Sequence, residues 1–221
     1  MTSLLKKHII ESIERAESGI SNIKVGTEDG DFILNYAGYT GTKTRHFYNN
    51  ICNNVGVRYL EIGTWMGSSS ISAIYGNSIE ALFIDNWSQF NGNVDIFTDV
   101  MKRFKGDNKC YLLESDCWKV DKSMIGKFNV YLYDGGHTEL DHFKALDYYI
   151  DNMDSEFIYI VDDWSWEDVR EGTMRGIREN NLEIKYEYSK ILTEEEVSGM
   201  PNHKGKSGWW NGVGIFILSK R

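Results

Sequence analysis

Val57-Arg-Tyr-Leu-Glu-Ile-Gly-Thr-Trp-Met-Gly-Ser-Ser-Ser-Ile71 is the stretch whose reading decides the fold. It reads as a strand, a glycine turn and the start of a helix. Val57, Tyr59, Leu60 and Ile62 suit a strand covered on both faces. Gly63 can take a backbone conformation closed to other residues and lets a ligand come close to the chain. Thr64 to Gly67 continue the turn, and Ser68 to Ser70 offer a cap and free N–H groups where a helix should begin. Glu61 stands at the strand's end. In open α/β sheets ligands bind outside the carboxyl ends of the strands, near the switch point. This strand is therefore expected to be central, with Gly63 on the floor of a ligand site.

Working outward, strand-like and helix-like stretches alternate. Ala81–Ile84, Cys110–Leu113, Phe128–Tyr133 and Phe157–Val161 read as further strands, with helices expected from the end of the glycine turn to about Tyr75 and over 92–105, 138–150 and 166–179. Leu182–Tyr188 alternates as a sixth strand, and Gly212–Leu218 is the last. This pattern predicts an α/β chain, a Rossmann-like, seven-stranded, mostly parallel sheet with helices on both faces. Before it, residues 4–19 carry apolar side chains at helical spacing, and 36–45 reads as a connector or a lid leading into a helix over 42–54. One domain is expected, with an N-terminal helix and lid segment over 1–54 and the core over 55–221. Residues 191–212 form a long polar and aromatic excursion holding Pro201 and Trp209-Trp210, a length uncommon for a connection without a function.

Composition narrows the classes. The net charge of −9 argues against a phosphate-backbone binder. Cys52, Cys110 and Cys117 have neither disulfide-framework density nor zinc spacing, so they read as reduced thiols in a cytoplasmic compartment. No apolar run approaches the roughly 18 residues of a membrane span, and the N-terminus does not read as a signal peptide. Neither nucleic acid nor membrane is expected as a partner; self-association into a homo-oligomer is left open.

The ends of the strands carry the chemistry. Glu61, Asp85, Asp116 and Asp134 end four successive strands or the turns after them, and Asp162-Asp163 ends the fifth. Like charges crowd unfavourably, so such a series implies bound positive charge or many hydroxyl donors. Asp85, about 20 residues beyond the glycine turn, occupies the place of a ribose-hydroxyl ligand in nucleotide sites; the alternative is a helix N-cap. Asp134, Asp162 and Asp163 suit a hard divalent cation, magnesium rather than zinc. His137 follows Asp134 closely enough to act on a hydroxyl there as general base, the alternative being a capping or surface residue. His8, His46, His142 and His203 carry no such context. Trp87 and Trp118 are expected to flank an adenine ring, and Trp164 or Trp166 to stack on a sugar or aromatic acceptor.

Together these residues resemble the class I S-adenosylmethionine-dependent methyltransferases, and within them the metal-dependent sugar O-methyltransferases of the macrocin and mycinamicin type. The matching motifs are Leu-Glu-Ile-Gly-Thr-Trp-Met-Gly-Ser-Ser (60–69), Phe-Ile-Asp-Asn-Trp (83–87), Tyr-Asp-Gly-Gly-His (133–137) and Val-Asp-Asp-Trp (161–164). The resemblance implies that Glu61 and the backbone from Gly63 through Thr64 and Gly67 to Ser68 hold the methionine part of S-adenosylmethionine. It implies that Asp85 binds the ribose and that Asp116 with the Cys117 backbone meets the adenine. Asp134, Asp162 and Asp163 would coordinate magnesium, with Asp134 and His137 catalytic.

The function expected is magnesium-dependent methyl transfer to a hydroxyl of a small molecule or glycan, a sugar first and a catechol second. A nicotinamide-dependent oxidoreductase fits less well, because Gly63-Thr-Trp-Met-Gly67 lacks the G-x-G-x-x-G spacing. A cofactor-binding module without catalysis would not need His137 beside three acids.

Overall fold

In the computed structural model, which describes residues 2–197 and 208–221, the central stretch forms the strand Arg58–Ile62 (β1). The others are Glu80–Asp85 (β2), Lys109–Glu114 (β3), Phe128–Tyr133 (β4), Met153–Asp162 (β5), Leu182–Lys190 (β6) and Val213–Lys220 (β7). They make one seven-stranded sheet in the order β3-β2-β1-β4-β5-β7-β6. β1 to β5 run parallel, and β7 inserts antiparallel between β5 and β6. The register sets Leu60 between Leu82 and Tyr131, and Ile62 between Ile84 and Tyr133. Five strands thus finish along one edge.

Both sheet faces are buried: β1 is covered on both sides from Tyr59 to Ile62, and β4 from Val130 to Tyr133. Tyr59, Phe83, Val130 and Leu132 face a layer built from Thr2–Glu17 (α1), Thr42–Cys52 (α3), Ser68–Ile74 (α4) and Val94–Phe104 (α5). Leu60, Leu82, Tyr131 and Tyr133 face Glu139–Tyr149 (α6) and Glu167–Glu179 (α7). Burying each such side chain contributes roughly 1.5–3 kcal/mol. Local signals agree with the packing. α5 is capped by Asn93, whose side chain accepts from Asp95 N and Ile96 N, and it buries Phe97, Val100, Met101 and Phe104 on one stripe. α6 opens on a capping box between Thr138 and Asp141.

One element was not anticipated. Glu28–Asn35 (α2) is a helix in a stretch, 20–44, whose sequence shows little periodicity. Its signal is the Thr27 cap, which accepts from Gly30 N, followed by acids in the first turn. Eight residues are too few for apolar periodicity to show. Pro201 and His203 lie outside the described residues. Among the described residues, no helix is long and apolar enough to cross a membrane. Cys52, Cys110 and Cys117 are all unpaired.

Candidate functional site

At the carboxyl edge of the sheet lies a cavity of about 490 Å³, lined from the loops after β1 to β5. Its volume suits a small-molecule ligand. Gly63, Thr64 and Ser68 line it from the first loop, Asp85 from the second, Asp116, Cys117 and Trp118 from the third. Gly63 has φ +88°, and a Cβ there would lie 1.8 Å from the Asp134 carbonyl. The glycine is therefore required both by its positive φ and by the close approach of the chain leaving β4. Asp85 accepts from Trp65 N through Oδ2 (2.8 Å) and from Trp87 N through Oδ1 (2.7 Å), which fixes its carboxylate at the cavity wall. Asp116 caps a short 3₁₀ turn, accepting from Trp118 N at 3.0 Å, and this hydrogen bond leads in holding its carboxyl below the usual range.

Three residues expected to touch a cofactor do not line the cavity. Glu61 is fully buried on the other side of β1, because side chains alternate along a strand and Ile62 takes the cavity side. Its carboxylate accepts from Ser69 Oγ (2.6 Å), Ser70 Oγ (2.8 Å) and Tyr59 Oη (2.9 Å), tying β1 to the start of α4. Gly67, at φ +92°, backs onto Phe97. Trp87 turns inward, donating from Nε1 to the Trp65 carbonyl at 2.6 Å and packing on Phe97. Trp164, expected to stack on an acceptor, is core: it packs on Phe216 and donates to Ser189 Oγ.

The environment of Glu61 has a measurable consequence. Burial raises its pKa from 4.5 to about 7, against the pull of the Ser69, Ser70 and Tyr59 hydroxyls. A carboxyl with a raised pKa holds its proton more tightly folded than unfolded. Its stabilising contribution is full below about pH 4.5 and is lost as the pH climbs through about 7. Urea unfolding at pH 5 and pH 8 should show the native protein losing about 2–3 kcal/mol more between the two than a Glu61→Gln variant. Equal losses would mean that this carboxyl titrates as it does in the unfolded chain.

On the other side of the cavity, Asp134, His137 and Asp163 bring ligand atoms within 4.8 Å of one another. His137 Nε2 lies 2.8 Å from Asp163 Oδ2 and 3.9 Å from Asp134 Oδ1. Burial pulls the His137 pKa down, but the two carboxylates more than reverse this and raise it to about 10. Burial, partly offset by His137, pushes Asp134 up to about 6. Asp162 is outside this compact set. It lines the cavity, is 2 % exposed and leaves Oδ1 without a hydrogen-bond partner. Its carboxyl is pushed well above the ordinary range, first by burial and then by Asp134 and Asp163. An orphaned buried oxygen beside two more carboxylates is a donor set that fits a hard divalent cation.

The cavity's remaining wall comes largely from the two stretches that the sequence sets apart, the lid candidate over 36–45 and the described end of the excursion over 191–212, joined by Trp65 and Phe90. Tyr39 sits against Trp65 (4.8 Å between ring centroids), Phe90 (5.7 Å) and Trp210 (5.7 Å), and all four line the cavity. Arg45 organises this segment from below, its buried guanidinium donating to the carbonyls of Ile33, Tyr36 and Thr40. Thr40 Oγ1 meets Ser68 Oγ at 3.0 Å, so residues 36–41 close on the glycine turn. Trp166 packs its ring against His137, 5.2 Å between centroids. Asn211, one residue past the Trp209-Trp210 pair, donates from Nδ2 to Asp163 Oδ1 at 2.7 Å.

No protein-family model matches the chain, and no curated protein matches it. Solved structures do. The chain is similar to the SAH-bound methyltransferase PaMTH1 of Podospora anserina at 11% identity and TM-score 0.56, covering 97% of this chain and 88% of that one. It is similar to TrmN from Thermus thermophilus at 10% identity and TM-score 0.53, covering 83% and 50%. It is also similar to a putative SAM-dependent methyltransferase from Streptococcus mutans at 10% identity and TM-score 0.50, covering 78% and 47%. The chain thus spans about half the length of the latter two proteins. At such identities the likeness is one of fold: this chain has a seven-stranded, mostly parallel, Rossmann-like fold of the kind found in the methyltransferase PaMTH1.

Proposed function

We propose that the protein is an S-adenosylmethionine-dependent O-methyltransferase that uses a divalent cation, magnesium by its oxygen-rich donor set, and acts on a hydroxyl of a small molecule or glycan, a sugar first. The observation that carries this reading is the union of two sub-sites in one cavity. The wall of Gly63, Asp85 and Asp116 meets the cluster of Asp134, His137, Asp162 and Asp163 there. The fold shared with an SAH-bound methyltransferase supports the choice of methyl donor. The exposed rim residue Trp166, packed on His137, gives an aromatic acceptor such as a catechol a surface to stack on and keeps that second reading alive. An acidic chain suits a small neutral acceptor better than nucleic acid, and three unpaired thiols suit a reducing cytoplasm.

The roles follow from placement. Asp85, its carboxylate held by two backbone N–H groups, accepts from the ribose hydroxyls of the donor substrate. The turn from Gly63 to Ser68 takes the methionine end, and Asp116 with the Cys117 backbone takes the adenine end. Asp134, Asp162 and Asp163 would hold the cation, which supplies positive charge that lowers an adjacent hydroxyl's pKa and frees His137 from its ion pair. His137 accepts the proton as the acceptor oxygen bonds to the methyl carbon and the carbon–sulfur bond breaks. Residues 36–41 and the aromatic wall exclude water from this step.

Titration with S-adenosylhomocysteine and with NADH tests the donor: the first should bind and the second should not, and the reverse would replace methyl transfer by hydride transfer. Labelled donor incubated with sugars, nucleotide sugars and catechols then identifies the acceptor. Asp85→Ala should weaken S-adenosylhomocysteine binding by about 1–3 kcal/mol, the scale for losing hydrogen bonds to a charged group, and leave cation binding unchanged. Unaltered affinity in calorimetry would remove Asp85 from the donor site.

A further inference from the structure

Asn211 lies in the turn that leads into β7, far in sequence from every acid of the site. It is 5% exposed, and so is Asp163. Its Nδ2 donates to Asp163 Oδ1 at 2.7 Å, leaving Oδ2 of the same carboxylate to face His137 at 2.8 Å. The orientation of the amide follows from chemistry, since an ionised carboxylate only accepts and must be met by the NH₂ end. The backbone repeats the link: Ser165 N donates to the Asn211 carbonyl at 2.9 Å. The turn itself is tightly set. Gly212 N bonds to the Trp209 carbonyl at 2.9 Å, and Gly212 has φ +87°, where a Cβ would lie 2.2 Å from the Lys190 carbonyl. Asp163 is held at φ +53°, a backbone conformation uncommon for a non-glycine residue, though aspartate is among those that take it most readily.

We propose that Asn211 is a positioning residue that sorts the two oxygens of Asp163, anchoring one so that the other points at His137 and the cation site. A neutral amide suits this task. A lysine or arginine there would neutralise the acid cluster and compete with a cation, and an acid would add repulsion; an amide orients the carboxylate and leaves its charge free. Without Asn211, Oδ1 would sit buried and unpaired, and rotation of the carboxyl group would relieve it.

The inference rests on the metal-and-base reading for its function, but its geometry can be tested separately. Asn211→Leu keeps the side chain's bulk without a donor, and Asn211→Ser keeps a small polar group too short to reach Asp163. Circular dichroism establishes the fold of each, and S-adenosylhomocysteine affinity should stay within about twofold of the unsubstituted protein. Two readouts follow. In metal-free protein, the ¹⁵N signals of the His137 imidazole at a single pH should move in both variants, because Asp163 Oδ2 no longer holds its place. In titration with Mn²⁺, affinity should fall about 10- to 100-fold, the scale for residues that orient a ligand from behind. If the folded variants keep the native imidazole signals, Asn211 only fills space and the proposal is overturned, whatever the cation does. If the unsubstituted protein binds no Mn²⁺ while the imidazole signals move in the variants, the metal reading fails and the positioning role stands.

Discussion

Asp163→Ala should reduce methyl transfer to background, and exhaustive chelation of the unsubstituted protein should do the same. Asp163 is where the acid site converges: His137 at 2.8 Å on one oxygen, Asn211 at 2.7 Å on the other, and a backbone at φ +53° that presents both. Its loss leaves His137 with Asp134 at 3.9 Å. Removing positive charge from beside a forming alkoxide costs several kcal/mol of transition-state stabilisation, on the order of 10³-fold or more in rate. Asp162→Ala should fall as far at low magnesium and recover in part at high magnesium, because losing one ligand lowers affinity before it destroys a site. S-adenosylhomocysteine affinity should survive both substitutions, since its expected contacts lie across the cavity from these acids. Full activity after chelation, in a preparation shown by elemental analysis to be metal-free, would dismiss the cation.

How much of this is legible in the sequence depends on which physical signal each residue leaves. β1 and β4 are buried on both faces, so most of their residues are apolar on either side of the strand, and parallel strands must then place Asp85, Asp134 and Asp162 at one edge. That inference needs only the strand count and direction. Glu61 shows where it stops. Its position near a strand end suggests the ligand site, but strand parity turns it towards Ser69 and Ser70. Ile62, one residue on, faces the other way. Trp87 fails for a similar reason, its direction being set by a backbone at φ +49° after Asp85. Tyr39, Trp210 and Asn211 lie in the two stretches that the sequence marks only as a lid candidate, 36–45, and a long excursion, 191–212, and nothing local says which of their side chains reach the site. They reach the cavity through contacts between residues distant in sequence, such as those between Tyr39 and Trp210 and between Asp163 and Asn211. α2 was hidden by brevity, its one clear mark being a capped acidic start after Thr27.

His137→Ala should leave donor and cation binding intact while turnover falls by roughly 10²–10⁴, the usual scale for a general base. The structure sharpens what this variant decides. With both carboxylates unneutralised, His137 is an imidazolium, its pKa raised to about 10 by Asp134 and Asp163 in spite of burial. In that state it is a counter-ion and cannot take a proton at neutral pH. It becomes a base only when other positive charge balances the acids, so the base reading and the cation reading depend on each other. The compact grouping of Asp134, His137 and Asp163 permits a third role, with His137 as a direct ligand. Saturating magnesium separates these cases. A base is not replaced by more cation, so the His137→Ala rate should stay low as magnesium rises. A ligand is replaced in effect by mass action, so a rate that climbs back with magnesium would move His137 from the proton to the metal. A His137→Ala rate equal to that of the unsubstituted protein at every magnesium concentration would leave His137 as the ion-pair partner of Asp163, present to hold the acid cluster together before any cation arrives.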